Sequence, residues 1–207
     1  MERTTQANAG RPRDPLLEQR VQDAACRLYG AVGWAGFSID AVARQAKVGK
    51  SSIYLRWPNN TALLLDSLQA RIDVPYDLDT GTVRSDLIVL SRSILSLLTG
   101  DAGAAMLRLS AEGRLIPELA PRWEDFVTAN VTAMRSITRR AIERRDLPPG
   151  TPVTLLLDAL FGGLLMQCLT TPPARMAEFA TRSDAYTEEL VDFVLASANR
   201  PTGRGRR

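Results

Sequence analysis

The stretch FSIDAVARQAKVGKSSIYLRWP, residues 37–58, decides how this chain is read. It contains two short helical patterns joined by a tight turn. Ser38 can cap a first helix, Ser38–Ala46, which sends Val42 and Ala43 inward. Lys47, Val48 and Gly49 make the turn, and a second helix, Lys50–Trp57, is stopped by Pro58. Ala43 is small enough for the two helices to cross closely, and Val48 and Ile53 can fill a shared core with Phe37 and Val42. With Ile53 and Trp57 packed inward, the opposite face presents Lys50, Ser51 and Leu55, flanked by Tyr54 and Arg56. This pattern meets the requirements of a helix-turn-helix. Lys47 and Lys50 are the only lysines in a chain that otherwise uses arginine. A lysine is a flexible point charge that reaches phosphate or a guanine edge, and Ser51 and Ser52 are short enough to permit close approach.

Outward from this stretch the chain reads as helix throughout. Upstream, Leu17, Val21, Ala24, Ala25, Leu28 and Val32 recur at spacings of three and four, with Asp14 as cap and Gly33 as stop. Downstream, a helix fits Asn60 to about Asp73, followed by a break at Val74–Asp77. Longer helices are then expected at Val83–Leu98, Ala102–Leu115, Pro117–Arg145, Pro152–Thr170 and Pro173–Ser197, with Gly or Pro separators. The fold class is therefore all-α. A flexible basic arm (1–14) precedes a tri-helical DNA-binding domain (15–73), a larger helical bundle (74–199) and a disordered basic tail (200–207).

Charge divides the same way. Residues 1–60 carry a net +4 and residues 61–199 a net −5, although the whole chain is only +3. A basic front on an acidic body suits a protein whose front alone meets a polyanion. There is no histidine, and Cys26 and Cys168 lie far apart, so neither a Cys/His metal site, a His-dependent triad nor a disulfide framework is expected. No cofactor is expected either. Residues 1–15 are polar and Pro-rich, unlike a signal peptide, and Asp158 interrupts the most apolar stretch, Val153–Leu169. The expectation is a cytoplasmic protein without a membrane span.

Residues Gly36–Leu68 resemble the DNA-binding segment of the TetR (tetracycline-repressor) family of transcriptional regulators. Ser38, Val42-Ala43, Ala46, Val48, Ile53-Tyr54, Trp57 and Leu63 hold places corresponding to the family pattern. The resemblance implies that Ser38 caps its helix near phosphate, that Ser52 and Tyr54 bind phosphate, and that Lys50, Ser51 and Leu55 face bases in the major groove. Three positions depart from the pattern. Lys47 replaces a turn glycine, Gly49 a serine or threonine, and Asn60 a phosphate-binding lysine. Within the arm, Gly10-Arg11-Pro12-Arg13 resembles the core of a minor-groove-binding AT-hook peptide, which would make Arg11 and Arg13 DNA contacts; the rival reading is a solubilising terminus.

The resemblance also implies a homodimer that binds a palindromic double-stranded operator and is released by a small-molecule effector. Pro152–Thr170 is apolar nearly all round and must be buried on several sides. Its Leu160, Gly163 and Leu164 are candidates for the dimer interface, together with Phe179, Leu190, Phe193 and Val194 of the last helix; ordinary protomer core is the rival reading. Candidate effector contacts are Met106, Leu109, Trp123, Phe126 and Asn130, with Met134, Asp158, Phe161 and Met166. Asp158 could pair with Arg135 or Arg139, meet a cationic ligand or point to solvent. Competing classes are a helical enzyme with a basic substrate site, for which no nucleophile or paired-carboxylate constellation is visible, and a protein-interaction module without an operator.

Overall fold

The computed structural model describes residues 15–72 and 77–198. The arm with Arg11 and Arg13, the centre of the break after the fourth helix, and the C-terminal tail lie outside them. Among the described residues all regular structure is helical. The helices are α1 (Pro15–Gly36), α2 (Ile39–Ala46), α3 (Lys50–Tyr54), α4 (Asn60–Gln69), α5 (Val83–Thr99), α6 (Gly103–Glu112), α7 (Ala120–Glu143), α8 (Val153–Thr170) and α9 (Met176–Ala198), with a short 3-10 turn, Pro173–Arg175, before the last.

Gly33 interrupts the first helix where the stop is expected: at φ +68 and ψ −172 it is non-helical, a conformation that favours glycine, and a short second helical segment across this kink completes α1 to Gly36. Val32, expected on the inward stripe, is 45% exposed, whereas Tyr29 is fully buried.

The first core collects Val21, Ala24, Ala25 and Tyr29 of α1 with Phe37, Val42, Ile53, Trp57 and the leucines of α4. It does not end at the break near residue 73. Ala105, Met106 and Leu109 of α6 and Trp123 of α7 belong to it, so the DNA-binding module is seated on the body through shared apolar packing. Polar links flank this joint: Tyr29 Oη donates to Glu112 Oε1 at 2.7 Å, and Arg122 Nη2 reaches Asp66 Oδ1 at 3.2 Å. Burial, then the Glu112 carboxylate, push the Tyr29 phenol well above its ordinary range, so it remains a donor at neutral pH.

A second core lies between α5, α7, α8 and α9, around Leu87, Leu90, Ile137, Leu157, Leu160 and Val191. The entry into this body is clamped by Arg144, whose guanidinium meets Asp79 (2.6 Å), Asp86 (2.9 Å) and Asp146 (3.1 Å). The α8 helix is long and apolar enough, by length and composition, to cross a membrane, with a mean hydropathy of 1.7. Asp158 therefore does not disqualify it as expected. Its packing is one-sided: Leu156, Leu157, Leu160, Leu164 and Cys168 are buried within the bundle, whereas only 28% of the helix as a whole is buried.

Candidate DNA-binding site

The α2–α3 unit is fixed at each of its corners by a local hydrogen bond. Ser38 adopts extended geometry, and its Oγ accepts from Ala41 N at 3.2 Å, the expected N-cap. The preceding free donor, Ile39 N, goes to Asn60 Oδ1 at 3.0 Å, while Asn60 Nδ2 donates to Phe37 O at 3.4 Å. Asn60, standing where the resemblance leads one to expect a phosphate-binding lysine, thus ties the start of α4 to the start of α2.

At the other end of α2, Lys47 sits in the left-handed region at φ +56. Its N–H goes to Arg44 O at 3.3 Å and Val48 N–H to Ala43 O at 3.0 Å, which together form a Schellman turn. A non-glycine residue in this conformation costs about 1 kcal/mol. Lys47→Gly is therefore expected to stabilise the fold by about 1 kcal/mol, read as a higher urea midpoint with unchanged slope. A lysine at this site is consistent with a side chain retained for something other than stability.

The second helix is shorter than expected. α3 proper ends at Tyr54, and a further helical turn carries the chain to Trp57, with Trp57 N–H bonded to Ile53 O at 2.9 Å before Pro58 removes the next donor. The facing is as anticipated. Ile53 and Trp57 are buried at 0% and 3%, whereas Leu55 is 85% exposed. Lys47, Lys50, Ser51, Tyr54 and Arg56 are exposed, and Ser38 and Ser52 half-buried.

Two acidic residues escaped the sequence reading. The Lys50 ammonium is ion-paired with Asp40 across α2 and α3, and Arg56 Nε lies 3.4 Å from Glu18 Oε2 of α1. Helical periodicity assigns acids to solvent faces and cannot show which cation they meet.

In the body, several expectations need correction. Met106, Leu109 and Trp123 are buried in the joint between the DNA-binding module and the body, with Phe126 stacked on Trp123 at 5.2 Å. Asn130 Nδ2 is committed to Phe126 O at 2.8 Å. Met134 and Phe161 instead border the second core. Asp158 and Met166 face solvent on α8, and no ion pair of Asp158 with Arg135 or Arg139 occurs. These nine residues therefore do not converge on one cavity. Two open clefts lie elsewhere. One of about 290 Å³, between the end of α8 and the start of α9, is lined by Gln167, Thr170, Arg175, Phe179, Arg182 and Tyr186 among others. The other, of about 450 Å³, is lined by Arg71, Arg92, Ser93 and Ser96 together with the α5–α6 turn.

The dimer candidates are similarly redistributed. Leu160, Leu164, Val194 and Phe179 are at most 9% exposed within one protomer, so they have almost no area left to offer a second copy. Gly163 lets α9 of its own chain approach: a Cβ there would come within 2.9 Å of Leu190, and Tyr186 Oη donates to its carbonyl at 3.0 Å. Phe193, 71% exposed, does lie on the surface. The outward face of α8 carries Leu155, Gly162, Leu165, Met166 and Leu169 instead. Burial pushes the Cys26 thiol up to about 12 and raises Cys168 as well, leaving both protonated and inert at neutral pH.

A capped α2, a tight turn and an α3 with its polar face outward, on a helical body, define a helix-turn-helix transcriptional regulator. The family model for the bacterial regulatory proteins of the tetR family matches residues 22–66, and that for the tetracyclin repressor-like C-terminal domain matches residues 77–194. The chain belongs to the TetR family. The HTH-type transcriptional regulator AqdR of Rhodococcus erythropolis is 31% identical over 159 residues, covering 74% of each chain. The DNA-binding transcriptional repressor TetR of Mycobacteroides abscessus is 30% identical over 183 residues, 83% of this chain and 88% of that one. Among solved structures, the tetR regulator TylP from Streptomyces fradiae superposes with a TM-score of 0.70 at 20% identity, covering 89% of this chain and 87% of that one. Regulators of this family bind DNA operators, typically as dimers with small-molecule effectors.

Proposed function

We propose that this chain is a cytoplasmic homodimeric repressor that binds a palindromic operator through α2 and α3, with Lys50, Ser51 and Leu55 toward the bases and Ser38, Lys47, Ser52, Tyr54 and Arg56 toward the backbone. The observation that carries this reading is the split of the second helix: Ile53 and Trp57 wholly inside, and Leu55 and the cations outside. A two-fold protein suits an inverted repeat whose half-sites lie roughly 34–36 Å apart. The second copy docks on the outward face of α8 with Phe193 of α9. The relative from Mycobacteroides abscessus is named a repressor, which supports repression over activation.

A small-molecule effector acts through the joint between module and body. Met106 and Leu109 of α6 share a core with Tyr29 and the α4 leucines, so displacement of α6 moves the module that carries α3. Because the operator fixes the separation of the two α3 helices, a small displacement favours the free state.

Selection of bound duplexes from a random-sequence library tests the DNA-binding claim. Enrichment of an inverted repeat with that spacing, bound in a salt-dependent manner, is the expected result. Equal affinity for selected and scrambled duplexes would overturn it.

A further inference from the structure

We propose that Asp40 is a specificity residue: by holding the Lys50 ammonium, it converts Lys50 from a phosphate ligand into a reader of neutral base-edge acceptors. The inference rests on the DNA-binding reading above and extends it to a residue that does not itself read a base.

Asp40 lies in the first turn of α2, two residues past the cap Ser38, where a negative charge also suits the helix dipole. Its carboxylate is not needed to close the helix start: Ile39 N is bonded to Asn60 Oδ1 and Ala41 N to Ser38 Oγ, and the carboxylate pairs with Lys50. The pair bridges the two helices of the binding unit, and both side chains remain about half exposed (45% and 54%). It therefore sits at the surface a duplex would meet. Exposed pairs of this kind contribute little to stability, so the main consequence falls on whatever approaches.

A phosphate nearing Lys50 meets the Asp40 charge beside it, and the two protein charges nearly cancel. A guanine edge is neutral overall and presents the O6 and N7 acceptors. An ammonium has three N–H donors, so Lys50 can keep one on Asp40 and direct the others to those acceptors. The pair thus penalises contact with the repeating backbone, which every sequence offers, and spares contact with a base. Lys47 has no carboxylate partner among the described residues and remains a phosphate ligand. This division separates the chain's two lysines into different tasks.

The test compares full-length wild type, Asp40→Asn, Asp40→Glu, Lys50→Gln and the Asp40→Asn/Lys50→Gln double variant on two probes: a duplex selected by the wild type and its scrambled counterpart. On the scrambled duplex, Asp40→Asn should steepen the dependence of log affinity on log salt by about 0.9, because one more cation meets phosphate. Affinity there should rise roughly three- to tenfold near 0.1 M salt, lowering the selected-to-scrambled ratio. Asp40→Glu should preserve the wild-type slope, and Asp40→Asn should leave the slope unchanged in the Lys50→Gln background. An unchanged slope in Asp40→Asn overturns the inference. Equal steepening in the Lys50→Gln background also overturns it, since the carboxylate would then be repelling DNA without Lys50. A wild type that fails to distinguish the two duplexes would instead refute the DNA-binding reading beneath it.

Discussion

Arg144→Met should destabilise the protein by about 2–4 kcal/mol at pH 7 and by markedly less near pH 4. The reason is Asp86, whose side chain is 0% exposed at the start of α5. Burial alone would push its carboxyl up. The Thr80 amide (2.6 Å), the Thr80 hydroxyl (2.7 Å) and the Arg144 guanidinium (2.9 Å) outweigh burial and hold it below the ordinary carboxylate range. In the wild type, the stability derived from this depression is fully present above the unfolded-state value of about 3.9 and is lost as pH falls through the lower folded value.

Removing Arg144 weakens this depression. The buried carboxylate keeps its Thr80 donors but loses its cation, so burial is opposed less and the folded-state value rises relative to the wild type. The variant then carries a penalty at neutral pH that protonation relieves. Urea midpoints at pH 7 and pH 4, measured at one protein concentration, provide the check. A gap that stays constant across that range would mean that Arg144 contributes packing rather than charge. The effect should be confined to the body, because Arg144 joins Asp79, Asp86 and Asp146 around the entry to α5 and touches nothing in the first core.

The DNA-binding unit was legible in the sequence because its signals are local. A serine cap, small residues at the helix crossing, alternating fates of Ile53 and Leu55, and Pro58 as terminator all act within a few residues of one another. The acid partners of Lys50 and Arg56 were not legible, since Asp40 and Glu18 come from other helices and only tertiary packing brings them near. The task of Asn60 was hidden for a related reason: its position in the pattern shows that a phosphate-binding lysine is missing, but not that its amide bonds to the backbone of residues 37 and 39.

The effector candidates are dispersed for a different reason. Residue type alone groups the large apolar side chains of the body, whereas Met106 and Trp123 belong to the core shared with α1 and α4. Nothing in the spacing of Met106 reveals that α6 packs on α1 rather than on α8. In α8 the periodic signal itself disappears. Nearly every residue is apolar, so the pattern cannot say which stripe faces its own bundle and which faces outward. Geometry separates them: Leu156, Leu160 and Leu164 point in, while Leu155, Leu165, Met166 and Leu169 point out.

That outward stripe leads to the second large effect. With the second copy docked on this stripe as proposed, Met166→Glu should yield a monomer and weaken binding to a selected palindromic duplex by about 10²–10⁴-fold, because each half-site is then bound without the effective concentration its twin supplied. Met166 is 55% exposed in the protomer, and glutamate is a good helix former, so the fold of one chain should tolerate the change. In a symmetric contact the substitution enters twice, placing two carboxylates against the apolar surface of Leu165, Leu169 and the copy's equivalent stripe. Gly162 strengthens the assignment to this face: a Cβ there meets nothing within 4 Å in the protomer, which leaves room for a close helix crossing by another chain. Phe193→Glu, on the adjoining helix and 71% exposed, should act in the same direction. Light scattering in line with size exclusion reports the mass, and duplex titration the affinity. If both variants remain dimeric and bind the palindrome as the wild type does, the second copy docks elsewhere, and the exposed apolar residues of α8 need another partner.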